Sequence, residues 1–311
     1  MFSRRQFIQQ SAVLTGGLLS MNGDALISNA EPARKLTVLH TNDVHSRLEP
    51  FPMDGSRNAG LGGVVARAAI INAIRQEEEQ VLLLDAGDIF QGTPYFNFYK
   101  GEPEIKAMSK MNYDAATMGN HDFDAGMENF ATQLRHAGFP ILLCNYDFKN
   151  TPMEHRSLPY KVFKKGKLTI GVTGVGIAMK GLVPDALYGN TLYLDPVESA
   201  NTVAAHLKKK QGCDMVICLS HLGYRYREKR RMSDEILAKE TEYIDLIIGG
   251  HTHTFMSEPV VYKNRLGGDV IVNQVGWGGM VLGRLDFIFE KNKSKNLANT
   301  HTVVIGEKSR E

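Results

Sequence analysis

The sequence has few cysteines and almost no net charge. Its three cysteines, Cys144, Cys213 and Cys218, are an odd number, and each lies in or beside an apolar, strand-like run. We therefore expect buried thiols rather than a disulfide framework. The 36 basic and 34 acidic residues leave a net charge of +2. This balance lacks the electrostatic footprint of a protein that binds nucleic acid or an anionic membrane.

Proline and long apolar runs are also scarce. With 11 prolines, 43% hydrophobic and 23% charged residues, the composition excludes the disordered, collagen-like and coiled-coil classes. A chain of 311 residues can bury a substantial core. Beyond the N-terminal region, no apolar run is long enough to span a bilayer, so no membrane anchor is expected.

The first thirty residues have the pattern of an export signal. Arg4 and Arg5 precede a short apolar stretch over residues 12–21, and a small-x-small cleavage site ends at Ala30. The stretch is too short and too weakly apolar for a transmembrane helix. The pattern resembles the twin-arginine export signal of bacteria; a basic, frayed N-terminus is the alternative. We therefore predict a signal peptide over residues 1–30, a soluble mature chain over residues 31–311, and a periplasmic location.

The remaining sequence alternates between strand and helix patterns. Short β-branched runs predict strands at residues 35–40, 81–85, 115–118, 141–144, 168–175, 215–220, 244–249, 270–275 and 281–289, with a final strand near 301–305. Apolar residues from Leu61 to Ile71 recur at helical spacing, and Asp195 precedes Pro196 as an N-cap does. The pattern favours an α/β domain whose sheet becomes mixed towards the C-terminus. Residues 225–231 and 291–300 are expected to form solvated loops.

Five clusters of polar residues follow predicted strands. In chain order, the chemistry-bearing residues are Asp43, His45, Asp88, Asn120, His121, Asp124, His221, His251 and His253. In an α/β sheet the C-terminal ends of the strands converge on one crevice, where ligands bind. Imidazole, carboxylate and amide ligands suit Mn²⁺, Zn²⁺ or Fe, and the lack of nearby cysteine argues against a structural zinc site. Each cluster alone is weak evidence; their joint order predicts a metal centre.

These five clusters together resemble those of the calcineurin-like metallophosphoesterases. More narrowly, residues 39–45 (LHTNDVH) and 113–124 resemble the catalytic domain of exported 5′-nucleotidases. The likeness extends in motif order over residues 35–290. It implies that residues 31–311 form a catalytic domain, built as a four-layer α-β-β-α sandwich of two mixed sheets with outer helices. It also implies phosphate release from nucleotides by a metal-activated hydroxide at a dinuclear centre.

The resemblance carries roles onto individual residues. One divalent ion would be held by Asp43, His45, Asp88 and His253. The other would be held by Asp88, Asn120, His221 and His251, so that Asp88 bridges the pair. His121 would stabilise the phosphoryl oxygens or protonate the leaving oxygen, and Asp124 would orient His121. His253 departs from the family pattern, in which this position is often Gln.

The resemblance also raises a question about substrate recognition. Exported 5′-nucleotidases carry a second, C-terminal domain that stacks the nucleobase, whereas this sequence has room after residue 289 only for a final strand. One expectation is a separately encoded C-terminal partner. The alternatives are a broad phosphomonoesterase or cyclic phosphodiesterase acting alone, and a non-catalytic, metal-dependent binding subunit. A nucleotide or another small phosphoester is the expected substrate.

Three further residues are assigned supporting roles. His40 is out of register with Asp43 and His45, so we expect it in the core or behind the ligands. Asp85 ends a strand and is expected to orient a loop. Trp277, the only tryptophan, lies in a glycine-rich turn and is expected to be a partly buried anchor, with stacking on a substrate as the alternative.

Overall fold

The computed structural model describes residues 34–290 and 295–306. The strands, in chain order, are β1 (Arg34–Thr41), β2 (Val81–Asp85), β3 (Ala115–Ala116), β4 (Ile141–Leu142), β5 (Tyr146–Asp147), β6 (Ser157–Leu158), β7 (Tyr160–Lys165), β8 (Leu168–Val175), β9 (Leu192–Tyr193), β10 (Met215–Ser220), β11 (Leu246–Gly249), β12 (Val260–Lys263), β13 (Asp269–Asn273), β14 (Val281–Phe289) and β15 (Lys295–Val304). The described α-helices are α1 (Val64–Glu77), α2 (Pro94–Tyr99), α3 (Glu102–Lys110), α4 (Met127–Gln133), α5 (Asp185–Tyr188), α6 (Pro196–Lys209) and α7 (Asp234–Glu240). Short 3₁₀ helices cover His121–Phe123 and Leu134–His136.

Two mixed sheets organise the fold. The first has seven strands in the order β15-β14-β1-β2-β3-β4-β6, and the second has six in the order β12-β13-β11-β10-β8-β7. In the first sheet β1 to β4 and β6 run parallel, while β14 and β15 are antiparallel additions. In the second sheet β8, β10, β11 and β13 run parallel, while β7 and β12 are antiparallel. β5 and β9 form a separate antiparallel pair.

The apolar residues sort the sheets and helices into four layers. Strand residues alternate between two faces, so Leu82 and Leu84 enter the core between the sheets, together with Ile170 of the second sheet. Leu83 lies on the opposite face and packs among residues of α1, α3 and α4. The outer face of the second sheet packs against α6 and α7; Leu207 of α6, for example, lies in this part of the core. The α-β-β-α sandwich of two mixed sheets is thus confirmed.

Most of the predicted elements are present. Every predicted strand run contains a strand, and the helix predicted after Asp195 begins with that carboxylate accepting a hydrogen bond from the amide of Glu198 at 2.9 Å. Residues 225–231 form an exposed loop with one half-buried side chain. The loop predicted over residues 291–300 is wrong from residue 295 onward. There the polar chain is the edge strand β15, because pairing with β14 satisfies its backbone and Leu297 packs on the inter-sheet core.

The state of the cysteines agrees with the expectation of thiols without a disulfide framework. Cys144, Cys213 and Cys218 are free thiols, two of them buried and Cys144 half-buried. Among the described helices, none has the length and apolarity that a membrane span needs. The predicted signal peptide lies outside the described residues and stays a prediction.

Candidate metal centre at the strand ends

The predicted ligands lie on loops that leave both sheets at the same edge. Asp43 and His45 follow β1, and Asp88 follows β2; the amide of Asp43 donates to the carbonyl of Gly87 at 2.9 Å. The other candidates, Asn120, His221, His251 and His253, follow β3, β10 and β11. Because β1 to β3 belong to one sheet and β10 and β11 to the other, the site spans the junction between the sheets.

The backbone at this edge adopts an uncommon conformation. Five of the seven candidate ligands have positive φ: Asp43 (49°), His45 (51°), Asp88 (56°), His251 (72°) and His253 (51°). Non-glycine residues in the left-handed region carry strain, which persists only where the surroundings enforce it, and such residues cluster at functional sites. The cluster of positive φ values therefore marks this edge as a candidate functional site.

The first group comprises Asp43, His45, Asp88 and His253. Nε2 of His45 lies 2.9 Å from Nε2 of His253, and Oδ1 of Asp43 lies 3.4 Å from the same His253 atom. One ligand atom of each residue lies within 4.8 Å of all the others. Atoms bound at about 2.1 Å to one ion lie about 3 Å apart when their bonds meet at right angles. The group thus has the spacing of a metal-binding set.

The second group shares Asp88 and adds His221 and His251. Nε2 of His221 lies 3.1 Å from Oδ2 of Asp88, and Nδ1 of His251 lies 2.8 Å from Oδ1 of Asn120. The Oδ1 atom of Asp88 accepts the backbone N–H of His121 at 2.8 Å. That leaves Oδ2 of Asp88 facing both groups, 3.1 Å from His221 and 3.8 Å from His45.

The environment of His221 shows that these residues fit a metal ion. The ring is fully buried, and its Nδ1–H donates to the carbonyl of Ala86 at 2.7 Å. Its Nε2 makes no hydrogen bond of acceptable geometry within the described part of the chain, although Oδ2 of Asp88 is 3.1 Å away. A nitrogen lone pair facing a carboxylate oxygen is repulsive unless a proton or a cation lies between them. A divalent cation suits this set of imidazole and carboxylate donors.

The pKa values of the buried histidines agree with that fit. Burial lowers the pKa of His221, but the negative charges of Asp88 and Asp43 outweigh burial and raise that pKa to about 10. Burial, and then the charge on His221, lowers the pKa of His251 to about 4. The buried carboxylates therefore favour a positive charge on a neighbouring group. A bound metal ion would supply that charge and would compete with protons for the same ligand atoms.

His121 and Asp124 form a pair beside the two groups. Nδ1 of His121 lies 2.8 Å from Oδ2 of Asp124, and both side chains are partly exposed. This hydrogen bond raises the pKa of His121 despite partial burial, and the charge of Asp88 raises it further. The His121 ring lies 5.3 Å from that of His45, centroid to centroid. The pair thus adjoins the metal groups, with Nε2 of His121 left available.

Two supporting residues were not identified from the sequence. The buried carboxylate of Asp122 accepts four backbone N–H bonds, from Asp88, Ile89, Phe90 and Gly119, at 2.8–3.1 Å. It thereby ties the loop after β2 to the loop after β3. Asn42 donates to the carbonyl of Gly276 at 2.7 Å and to Oδ2 of Asp43 at 2.6 Å. Both lie inside the recognised motifs, which is the signal that could have revealed them.

The supporting residues that were predicted lie where expected. His40 is fully buried, and its Nε2 lies 2.9 Å from Nδ2 of Asn273. Asp85 accepts from the amide of Gly87 at 2.9 Å and from the hydroxyl of Thr41 at 2.6 Å, so it orients the loop that carries Asp88. Trp277 is half-buried and stacks on His253.

Comparison with known proteins gives consistent matches. The family model described as calcineurin-like phosphoesterase matches residues 36–255. The chain is 34% identical over 288 residues to the snake venom 5′-nucleotidase of Crotalus adamanteus, covering 86% of this chain and 47% of that protein. It is 33% identical over 304 residues to the 5′-nucleotidase of Vibrio cholerae, covering 90% and 53%. The crystal structure of a 5′-nucleotidase precursor from Thermus thermophilus superposes with a TM-score of 0.78 and 31% identity, covering 88% and 55%. The chain thus spans about half the length of these relatives.

Proposed function

We propose, since this chain belongs to the calcineurin-like phosphoesterase family, that it is a hydrolase that uses two divalent metal ions to release phosphate from nucleotides. The observation that carries this proposal is the position of Asp88 Oδ2 between two groups of ligand atoms. The relatives are 5′-nucleotidases, which supports a nucleotide as the substrate.

The proposal assigns Asp43, His45, Asp88 and His253 to one ion. Asp88, Asn120, His221 and His251 are assigned to the other. When bound, a pair of ions such as Mn²⁺, Zn²⁺ or Fe would activate the attacking water and stabilise the charge on the phosphoryl oxygens. The carboxylate of Asp88, which belongs to both groups, would offset the repulsion between two cations held close together.

His121 is assigned the transfer of a proton to the leaving oxygen. Its Nδ1 is engaged with Asp124, so the free Nε2 atom is the one that can donate to a phosphoryl or leaving oxygen. The hydrogen bond to Asp124 favours the protonated imidazole that this role requires. Asp124 acts through His121 as a positioning residue.

The proposal also covers the location of the protein in the cell and its range of substrates. The basic pair, apolar stretch and cleavage site over residues 1–30 support export to the periplasm. Because the chain spans about half of its relatives, we propose that a separate C-terminal domain supplies nucleobase recognition. A broad phosphomonoesterase or cyclic phosphodiesterase acting alone is the second candidate.

Phosphate release by residues 31–311 loaded with Mn²⁺ tests the proposal. AMP, a cyclic nucleotide and an aryl phosphate are compared, with His121→Ala as the control variant. We expect turnover of AMP that falls about a hundredfold or more in His121→Ala, the scale of general acid catalysis. Equal turnover of AMP and the aryl phosphate would favour the broad phosphomonoesterase. No release from any of the three would overturn the proposal.

A further inference from the structure

A strongly basic loop begins three residues after the candidate ligand His221. Residues 224–231 read YRYREKRR and contain five basic residues and one acidic residue. All five basic side chains are exposed. The whole chain carries a net charge of only +2, so positive charge is concentrated in this segment, which follows the candidate ligand His221 in the chain.

Both tyrosines tie this loop to the site. The hydroxyl of Tyr226 donates to the carbonyl of Leu222 at 2.7 Å, and the amide of Tyr224 donates to the hydroxyl of Thr252 at 3.0 Å. Leu222 adjoins His221, and Thr252 lies between His251 and His253. The base of the loop is therefore anchored to the two turns that carry three candidate ligands.

The far end of the loop folds back onto the same anchor. The guanidinium carbon of Arg231 lies 3.8 Å from the centroid of the Tyr226 ring, a cation–π contact that orients Arg231. Because Tyr226 is itself hydrogen-bonded to Leu222, beside His221, this contact holds Arg231 near the anchored base of the loop.

Within residues 34–290 and 295–306, no carboxylate forms an ion pair with the basic side chains of the loop, which are Arg225, Arg227, Lys229, Arg230 and Arg231. The exposed lysines elsewhere include several paired with neighbouring acids, such as Lys263 with Asp269 at 2.6 Å. An unpaired cationic rim attracts anions and speeds their association.

We propose that residues 224–231 form a binding site for a phosphate group next to the one that is hydrolysed, so that nucleoside diphosphates and triphosphates are preferred over monophosphates. The inference rests on the proposed function. The charge of a monophosphate is taken up at the metal centre, which leaves nothing for the loop to bind. In a diphosphate the terminal phosphoryl group occupies the metal centre and the next one reaches the loop.

The reaction with such a substrate is an ordinary hydrolysis. Water attacks the terminal phosphorus, and the bond from that phosphorus to the bridging oxygen breaks. The shortened nucleotide leaves with the bridging oxygen, and the second product is inorganic phosphate. The proton given up by water goes to the leaving oxygen or to solvent, so no oxidant or further reactant is needed.

The test removes three charges while leaving the anchored residues intact. The variant is Arg227→Ala/Lys229→Ala/Arg230→Ala. The matched control is Lys110→Ala/Lys210→Ala/Lys263→Ala, three exposed lysines at the opposite edge of the sheets, near the starts of β3, β10 and β13. Steady-state kinetics with ADP and AMP are measured for both and for the metal-loaded wild type, at low and high salt.

We expect the wild type to prefer ADP, and the loop variant to lose about tenfold in kcat/KM for ADP through KM, the scale of a few surface charges acting together. AMP should change by less than about twofold in the loop variant. The preference should also weaken at high salt, and the control should match the wild type. An unchanged ADP-to-AMP ratio in the loop variant would overturn this inference while leaving AMP hydrolysis, and so the proposed function, standing.

A binding measurement keeps the two proposals separable. Calorimetry with a non-hydrolysable methylene analogue of ADP measures the contribution of the loop to binding affinity. This measurement can be made even if the wild type releases no phosphate from any nucleotide. Weaker binding to the loop variant than to the control supports the inference. Equal binding to both contradicts it.

Discussion

The indole ring of Trp277 lies nearly parallel to the imidazole ring of His253, with an angle of 16° between the planes and 5.8 Å between the ring centroids. Phe51 meets the same indole edge-on at 5.4 Å, and the guanidinium carbon of Arg47 lies 4.1 Å from the Phe51 centroid. The side chain of His253 is 40% exposed, whereas those of His45 and His221 are 8% and 0% exposed. The stacked indole therefore restricts the motion of the His253 side chain, which burial restricts only in part.

This stacking predicts that tryptophan fluorescence reports metal binding. Trp277 is the only tryptophan, so adding Co²⁺ or Mn²⁺ to metal-free protein should quench emission as His253 binds the ion. Trp277→Ala should weaken metal affinity about tenfold, as loss of an outer-shell contact does, whereas Trp277→Phe should retain most of it. Isothermal titration measures both affinities. Equal affinity in wild type and Trp277→Ala would show that the stack does not hold His253.

Gly119 makes close packing at the centre possible. A Cβ at this position would fall against Oδ1 of Asp88 and lie 2.6 Å from Nε2 of His221, whereas a Cβ at Gly138 would make only ordinary contacts, the nearest being Cβ of Ser109 at 3.7 Å. Gly119→Ala should therefore lose bound metal and phosphate release, while Gly138→Ala should keep both. Metal content and turnover are measured on each purified variant. Full metal content in Gly119→Ala would contradict the packing argument.

Asp124 should influence turnover without influencing metal binding. It contacts His121 at 2.8 Å and belongs to neither ligand group. Asp124→Asn should lower kcat about tenfold to a hundredfold at unchanged metal content. Glu128→Gln removes the same charge from an exposed position on α4 and should leave kcat unchanged. Metal loss in Asp124→Asn would mean that Asp124 supports the ligands instead of His121.

His40 predicts a specific acid sensitivity. Burial lowers its pKa from 6.5 to about 3, so the ring stays neutral when folded but takes up a proton when unfolded. The unfolded state thus binds more protons between these values, and stability is complete above about pH 6.5 and is lost as the pH falls towards 3. Between pH 7 and 4.5 the loss from this residue alone is about 2.5 kcal/mol.

Denaturant unfolding of His40→Gln measures this loss. The variant should lose less stability than the wild type between pH 7 and 4.5, whatever its absolute stability. Metal-ligand contributions are shared and cancel in the difference. His301→Gln, at an exposed position on β15, should keep the full pH dependence of the wild type. Parallel curves for His40→Gln and wild type would show that His40 is protonated in the folded protein.

Much of the sheet framework could be predicted, because central strands are apolar on both faces. The run over residues 215–220 is buried at every position, so it reads as a strand whatever surrounds it. The helices α2 and α4, of six and seven residues, were not predicted, since so short a segment gives too few turns for a periodic signal. β15 was predicted only near its end, because its polar sequence is a strand only through pairing with β14.

The site was more predictable than the fold around it. Ligand residues at strand ends are identified by their chemistry, and both groups contain only residues that the motifs had singled out. The stack of Trp277 on His253 could not be predicted, because the residues are 24 positions apart and meet only when the turn after β13 folds over the site. The role of Asp122 could not be predicted either, because its four backbone donors come together only in the folded chain.

We expect this chain to hydrolyse phosphoesters with two metal ions that share Asp88. The most direct measurement is a titration of Mn²⁺ into metal-free protein, with bound metal per chain and phosphate release from AMP followed together. We expect two bound ions per wild-type chain, with release rising as the second ion binds. Asp88→Ala should bind at most one ion and release little phosphate. Full release with one ion or none, or two ions retained by Asp88→Ala, would contradict it.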